Sequence, residues 1–256
     1  MSPNFPGLES RLQKLQGELS VEKQFDRVGN AHFDLRFQDQ IDRSTAFDLR
    51  GELDQARREV GRDFSYWPRR RTVVLIYSEE GFSKVRRGPD WAAGLYDGKT
   101  RVPFPSNPAA QATVTSTLYH EYTHALIHDI THNKCPVWLN EGIAEYQEAR
   151  TREPFLSHLQ GAVEKKQLIP LASLDAAFKS RDANVTGLAY QQSYSLVTYL
   201  VKKYRFYRLR RVLEAIGEDK SVEEAFHEEF RLTMSQLEQR WTPWLPGFAN
   251  ATGARR

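Results

Sequence analysis

Apolar residues recur along the chain in two rhythms. From residue 31 to 37, Ala31, Phe33, Leu35 and Phe37 alternate with His32, Asp34 and Arg36, the two-residue period of a half-buried strand. Thr72 to Tyr77 is a continuous β-rich run and predicts a buried strand. Helical spacing appears at residues 8–28, where Leu8, Leu12, Leu15 and Leu19 form a stripe. It returns at 44–62, opened by Ser44 or Thr45, with Phe47, Leu49, Leu53, Ala56 and Val60 on one face. Leu95 to Val102 reads as a tight hairpin, because Asp97-Gly98 suits a two-residue turn whose central positions need positive φ. Pro103, Pro105 and Pro108 are then expected to end the sheet.

Beyond about residue 110 the period is helical almost to the end. The spacing predicts helices near 111–130, 138–150, 155–166, 186–203, 205–216, 221–229 and 233–240. The fold class is therefore α+β. A small mixed sheet layer with an edge hairpin, about 31–110, precedes a mainly helical half, about 111–250. Residues 1–30 form a helical leader, and the Ala-Thr-Gly-Ala-Arg-Arg tail is expected to be loose. No repeat of fixed period is visible, which argues against a solenoid.

Composition narrows the function classes. A chain of 256 residues can bury a sizeable core. A formal charge of +3 gives no case for nucleic acid, and the runs Arg69-Arg70-Arg71 and Arg208, Arg210, Arg211 read as solvated surface. The single cysteine, Cys135, excludes an internal disulfide and a cysteine-based zinc knuckle. Apolar stretches fall well short of the roughly 20 residues of a membrane span. No signal peptide is visible at the start. The expectation is a soluble protein, with its compartment left open.

The chemistry concentrates in His120-Glu121-Tyr122-Thr123-His124, an H-E-x-x-H sequence within a predicted helix. Residues i and i+4 share a helical face, roughly 6 Å apart, so the two imidazoles can converge on one zinc ion. Glu121 is rotated by roughly 100°. There it lies near the metal without joining the pair, and can hold a metal-bound water and take its proton. Catalytic zinc usually takes three protein ligands and keeps one position open. His128 and His132 extend the ladder, but His128 is roughly 12 Å along the axis from His120, too far to share an ion. Both read as the polar end of the helix. A metzincin pattern needs glycine and histidine where this chain has Ile127 and Ile130. Glu141 is the better third ligand. It lies on the next predicted helix, beyond a turn containing Asn133, Lys134 and Pro136, with enough chain between to return antiparallel.

Trp138-Leu139-Asn140-Glu141-Gly142 resembles the W-L-N-E-G of the gluzincins, zinc peptidases whose ligands are two histidines and a glutamate. The nearest groups are the M1-type aminopeptidases and the thermolysin-like superfamily. The resemblance implies a minimal peptidase-MA-like zincin domain acting on a peptide or protein substrate. It implies one zinc ion per chain on His120, His124 and Glu141, with Glu121 as base. Glu145, one turn after Glu141, is expected to accept the second ring N–H of His120, and Asn140 to bridge the two helices through its amide. The segment from Tyr190 to Leu200 resembles the Y-E-K-G-x-x-V-L stretch of M1-type enzymes, although Gln191, Gln192 and Ser193 depart from E-K-G. Tyr190 matches the tyrosine that donates to the tetrahedral intermediate, and Tyr194, one turn on, is the alternative. Gly94-Leu95-Tyr96-Asp97-Gly98 loosely resembles the G-x-M-E-N segment. With the hairpin it would supply an edge that binds substrate backbone as an added strand, and Asp97 would be the candidate anchor for an amino terminus.

The expected activity is internal cleavage of an extended peptide. Aminopeptidase action is the alternative, drawn by the likeness around Glu141. A zinc-bearing binding or scaffold domain without turnover is a third reading, and Glu121 argues against it, since a structural site needs no base. A purely helical interaction domain would leave Glu141 and Tyr190 as coincidences.

Overall fold

In the computed structural model, which describes residues 22–85 and 98–253, four strands form one mixed sheet in the order β1-β2-β3-β4. The alternating segment forms β2 (Phe33–Phe37), which buries Phe33, Leu35 and Phe37. The continuous apolar run forms β3 (Thr72–Ser78), parallel to β2 with Phe33 opposite Thr72. Parallel neighbours need a long crossover, supplied here by α1 (Arg43–Phe64). Its cap is Asp42, just before the expected Ser44 or Thr45, and accepts the Thr45 N–H at 2.9 Å. Leu49, Leu53, Ala56 and Val60 are buried as expected, together with Ala46 and Phe64. Phe47 is not: it is 43% exposed, with the Arg43 and Arg50 guanidiniums over its ring at 5.8 and 5.0 Å.

The flanking strands complete the sheet, and the first of them corrects the sequence reading. β1 (Asp26–Gly29) covers the end of the expected leader helix and pairs antiparallel with β2, Val28 opposite Leu35. Pairing to an open sheet edge outweighs a weak local helical pattern there. The leader up to residue 21 lies outside the described residues. After β3 the chain enters α2 (Glu79–Val85) and later β4 (Lys99–Phe104), which lies parallel to β3 with Val73 opposite Lys99. The expected hairpin's second arm thus forms β4 and pairs with β3. Its first arm, with Gly94, Leu95, Tyr96 and Asp97, lies outside the described residues. Gly98 does take the left-handed φ of +91° that Asp-Gly signalled. Local turn chemistry could not weigh the burial of Thr100, Arg101 and Val102 in the sheet. Pro103 sits inside β4 opposite Tyr77, which is tolerable in a terminal strand. Glu22 ties this edge down, its two carboxylate oxygens accepting Lys99 Nζ at 2.8 and 2.7 Å.

The helical half begins with a turn of helix, α3 (Pro108–Gln111), capped by Asn107. Then come α4 (Val114–Thr131) and α5 (Val137–Glu148). His132 and Asn133 adopt left-handed φ values of 50° and 63° and end α4. The Trp138 N–H at the start of α5 donates to Asp175 Oδ1 at 2.8 Å. Next follow α6 (Ser157–Lys165), α7 (Leu174–Ala177) and α8 (Ala183–Tyr204). The remaining helices are α9 (Phe206–Gly217), α10 (Val222–Phe230), α11 (Met234–Trp241) and α12 (Leu245–Gly253). The sequence missed α12, which anchors Leu245 and Phe248 in the core and runs through Gly253 of the tail.

α4 is the hinge between the two halves. Tyr122 packs edge-on against Phe33 of β2 at 5.6 Å, and Tyr119 Oη donates to Glu59 Oε2 of α1 at 3.0 Å. Gln147 of α5 donates to Asp63 of α1 at 2.9 Å. On its far side α5 meets α8 so closely that a Cβ on Gly142 would lie 2.6 Å from the Ser193 carbonyl oxygen. The sheet and α1 therefore hold α4, and α8 presses α5 against it.

Candidate metal centre

His120 and His124 stand one turn apart on α4, their ring centroids 4.7 Å apart and their planes at 82°. α5 returns antiparallel, so its residues meet α4 in reverse order. Glu141 Oε2 lies 3.5 Å from Nε2 of both histidines. The outer nitrogens are also engaged: His124 Nδ1 meets Asn140 Oδ1 at 2.9 Å, and His120 Nδ1 meets Glu148 Oε2 at 2.9 Å. The geometry brings His120, His124, Glu141 and Asn140 together. His128 and His132 take no part in the groups that could hold a metal among the described residues.

One expected contact is made by a different residue. Glu148, not Glu145, meets His120 Nδ1. Glu148 follows Glu141 by seven residues, two turns along the same stripe, and antiparallel packing sets that level of α5 beside the earlier histidine. The signal was present in the sequence, but a single-turn offset was the wrong one. Asp175, which caps α5, had no local signal because it arrives from α7.

The charges interlock. Burial alone would push the Glu141 carboxyl up, but the His124 and His120 imidazoles overcome it and hold the group well below the usual carboxylate range. Burial lowers both histidines, yet Glu141, joined by Glu148 at His120, raises each above its ordinary value. Burial raises Glu121, against the pull of His124 and His120. Burial also lifts Glu145 to about 7, and Glu148 adds to the rise.

The donor set fits a divalent cation. With Nδ1–H of each ring directed at an oxygen, each Nε2 keeps its lone pair for a metal. Ligand atoms roughly 2 Å from a tetrahedral zinc lie roughly 3.3 Å apart, close to the 3.5 Å separations here. Glu145 and Glu148 form a second group with His120 whose ligating atoms lie within 4.8 Å. They also line a cleft of about 250 Å³ that extends to Tyr190, Gln191, Glu153 and Phe155. Tyr190 is half-buried, its ring edge-on to Phe178 at 4.9 Å. Tyr194 is buried, with Phe248 beside it at 5.9 Å.

Residues 84–247 match the sequence profile of a family described as the Peptidase MA superfamily. The chain belongs to that superfamily. Membership makes this a metalloprotease-like peptidase domain, with peptide or protein as its substrate class. The α+β architecture of a small mixed sheet beside a large helical part agrees with a peptidase MA domain. Among curated proteins, none matches the chain. Among the described residues of this peptidase MA chain, no helix is long and apolar enough to cross a membrane.

Proposed function

We propose that this peptidase MA domain is a zinc-dependent endopeptidase of gluzincin type. The observation that supports it most is the convergence of His120 Nε2, His124 Nε2 and Glu141 Oε2 from two antiparallel helices. A zinc ion held by these three groups would polarise the scissile carbonyl and acidify the attacking water. Glu121 accepts a proton from that water at its carboxylate and delivers it to the leaving amine. Asn140 and Glu148 hold the imidazoles in the tautomer and orientation the ligands need. Tyr190, on the wall of the cleft that Glu145 and Glu148 share, donates its hydroxyl proton to the developing oxyanion. Tyr194 is less suited, being buried against Phe248. β4 is the terminal strand of the described sheet, and an extended substrate adds to it through its backbone.

The test is a peptide library digested by wild-type protein and by Glu121→Gln, with metal content measured on both. The expected result is one zinc per chain in each, cleavage by wild type alone, and attack on N-terminally blocked peptides. Equal turnover by E121Q removes the base. Loss of single residues from free-amine peptides only would make the enzyme an aminopeptidase.

A further inference from the structure

The cleft beside His120 carries information about which substrates fit. Its inner wall is shared with the metal centre, through Glu148 on His120 Nδ1 at 2.9 Å and Glu145 close by. Tyr190 lies on its wall, so with that hydroxyl on the oxyanion, as proposed above, a residue flanking the cleaved bond stands at this space. At about 250 Å³ the cleft falls below the roughly 300–1,000 Å³ of sites for whole small molecules. It suits one long side chain. Its walls join three carboxylates, Glu145, Glu148 and Glu153, to one guanidinium, Arg152. Arg152 and Glu153 are both exposed at the rim, so the one cation offsets one of the three acids and the walls keep a net negative formal charge. Phe155, 57% exposed, and Tyr190 supply aromatic surface.

An acidic side chain entering here meets like charge, and a neutral one displaces water from the carboxylates without replacing its hydrogen bonds. A cationic group satisfies them, while an aliphatic stem packs on Phe155 and the charge lies near aromatic faces. We propose that this cleft is a specificity subsite for an ammonium or guanidinium group on the substrate residue next to the cleaved bond. It rests on the peptidase reading of the neighbouring centre, although binding can be read without turnover. The cation has two possible sources, a Lys or Arg side chain or a free amino terminus.

The experiment uses peptides identical except at that residue: acetylated with Lys, acetylated with norleucine, acetylated with Glu, and norleucine with a free amino terminus there. Cleavage is followed with wild type and binding by calorimetry with zinc-loaded Glu121→Gln protein. The acetyl-Lys peptide should bind and turn over roughly tenfold better than acetyl-norleucine, the worth of one charge-assisted hydrogen bond. That ratio should shrink in Glu153→Gln and at high salt, and grow in Arg152→Ala. Residues 152 and 153 are exposed, and a thermal melt checks that both variants fold. Preference for the free-amine norleucine peptide alone assigns the cation to the amino terminus. Equal binding of all four peptides, or none, overturns the proposal even if wild type cleaves them. A retained binding preference with no cleavage overturns the peptidase reading and leaves the subsite standing.

Discussion

Toward α4, helix α5 turns Asn140, Glu141 and Glu148; toward α8 it turns Gly142. The first interface is a seam of imidazoles and carbonyl or carboxylate oxygens joined by long side chains, with contacts of 2.9 to 3.5 Å. The second has no side chain at its closest point, because the Ser193 carbonyl occupies the space a Cβ would need. Long side chains can absorb a small shift by changing rotamer, whereas a backbone contact cannot. The apolar side of α5 therefore sets where its polar side stands. Glu141 and Gly142 are adjacent in sequence, so any displacement forced on one is passed to the other.

Breaking the seam at its centre should have the largest effect. Glu141→Ala is expected to lower zinc affinity by more than the roughly 100-fold upper range for a supporting residue, and to abolish proteolysis. A chelator should lower the melting temperature of wild type and leave that of E141A unchanged, since only a protein that binds metal is stabilised by it. A chelator shift retained in full by E141A would remove Glu141 from the ligand set.

The opposite interface is tested by Gly142→Ala. The added methyl meets backbone 2.6 Å away, so α5 and α8 must separate, at a cost of about 1–3 kcal/mol. Urea denaturation should show that loss, and zinc affinity should fall with it. A stability loss with unaltered zinc affinity would show that the two faces of α5 are independent.

Glu148→Ala should reduce zinc affinity by about 10–100-fold. Glu145→Ala, the same truncation one turn away, should leave it within about twofold, because Glu148 makes the His120 contact. The reverse ranking would restore Glu145 to the place the sequence suggested. The smallest effect is expected from Asn140→Ala, near the 10-fold end, because a neutral amide supports His124 more weakly than a carboxylate supports His120. Competition with a zinc-binding dye measures all three variants on one scale.

Elements whose signals are local were legible in the sequence. The alternation at Phe33, Leu35 and Phe37 and the run from Thr72 to Tyr77 marked β2 and β3, and helical spacing located α1, α4, α5 and α8. The His120, His124 and Glu141 cluster was legible because i,i+4 spacing and a short return helix leave few alternatives. Partnership was not. Nothing local to Lys99–Phe104 says that it lies parallel to β3, nor does Val28 announce β1. Phe47 looked like core because helical spacing counts residues without knowing which side a neighbour covers. Glu148 escaped because the depth at which α5 passes α4 fixes which of two acids reaches His120. That depth is a tertiary quantity.

The metal centre also occupies a short interval of chain. Among the described residues, the side chains that pair with the His120 and His124 rings, Asn140, Glu141 and Glu148, all lie within the interval from His120 to Glu148, so bringing them together closes only the turn at 132–136. Loop-closure entropy rises with the logarithm of the length enclosed, and by that measure this cluster costs little to assemble. The parallel pairing of β2 with β3 must close a loop that contains all of α1, and the Tyr190 wall must wait for α8. If the proposed zinc site holds, a helical hairpin of α4 and α5 would be organised by the ion before the sheet is complete, so that the ion would act during folding as well as in the finished domain. Refolding with and without zinc, followed at Trp138 by fluorescence, would show a metal-dependent early phase if the hairpin forms in that order.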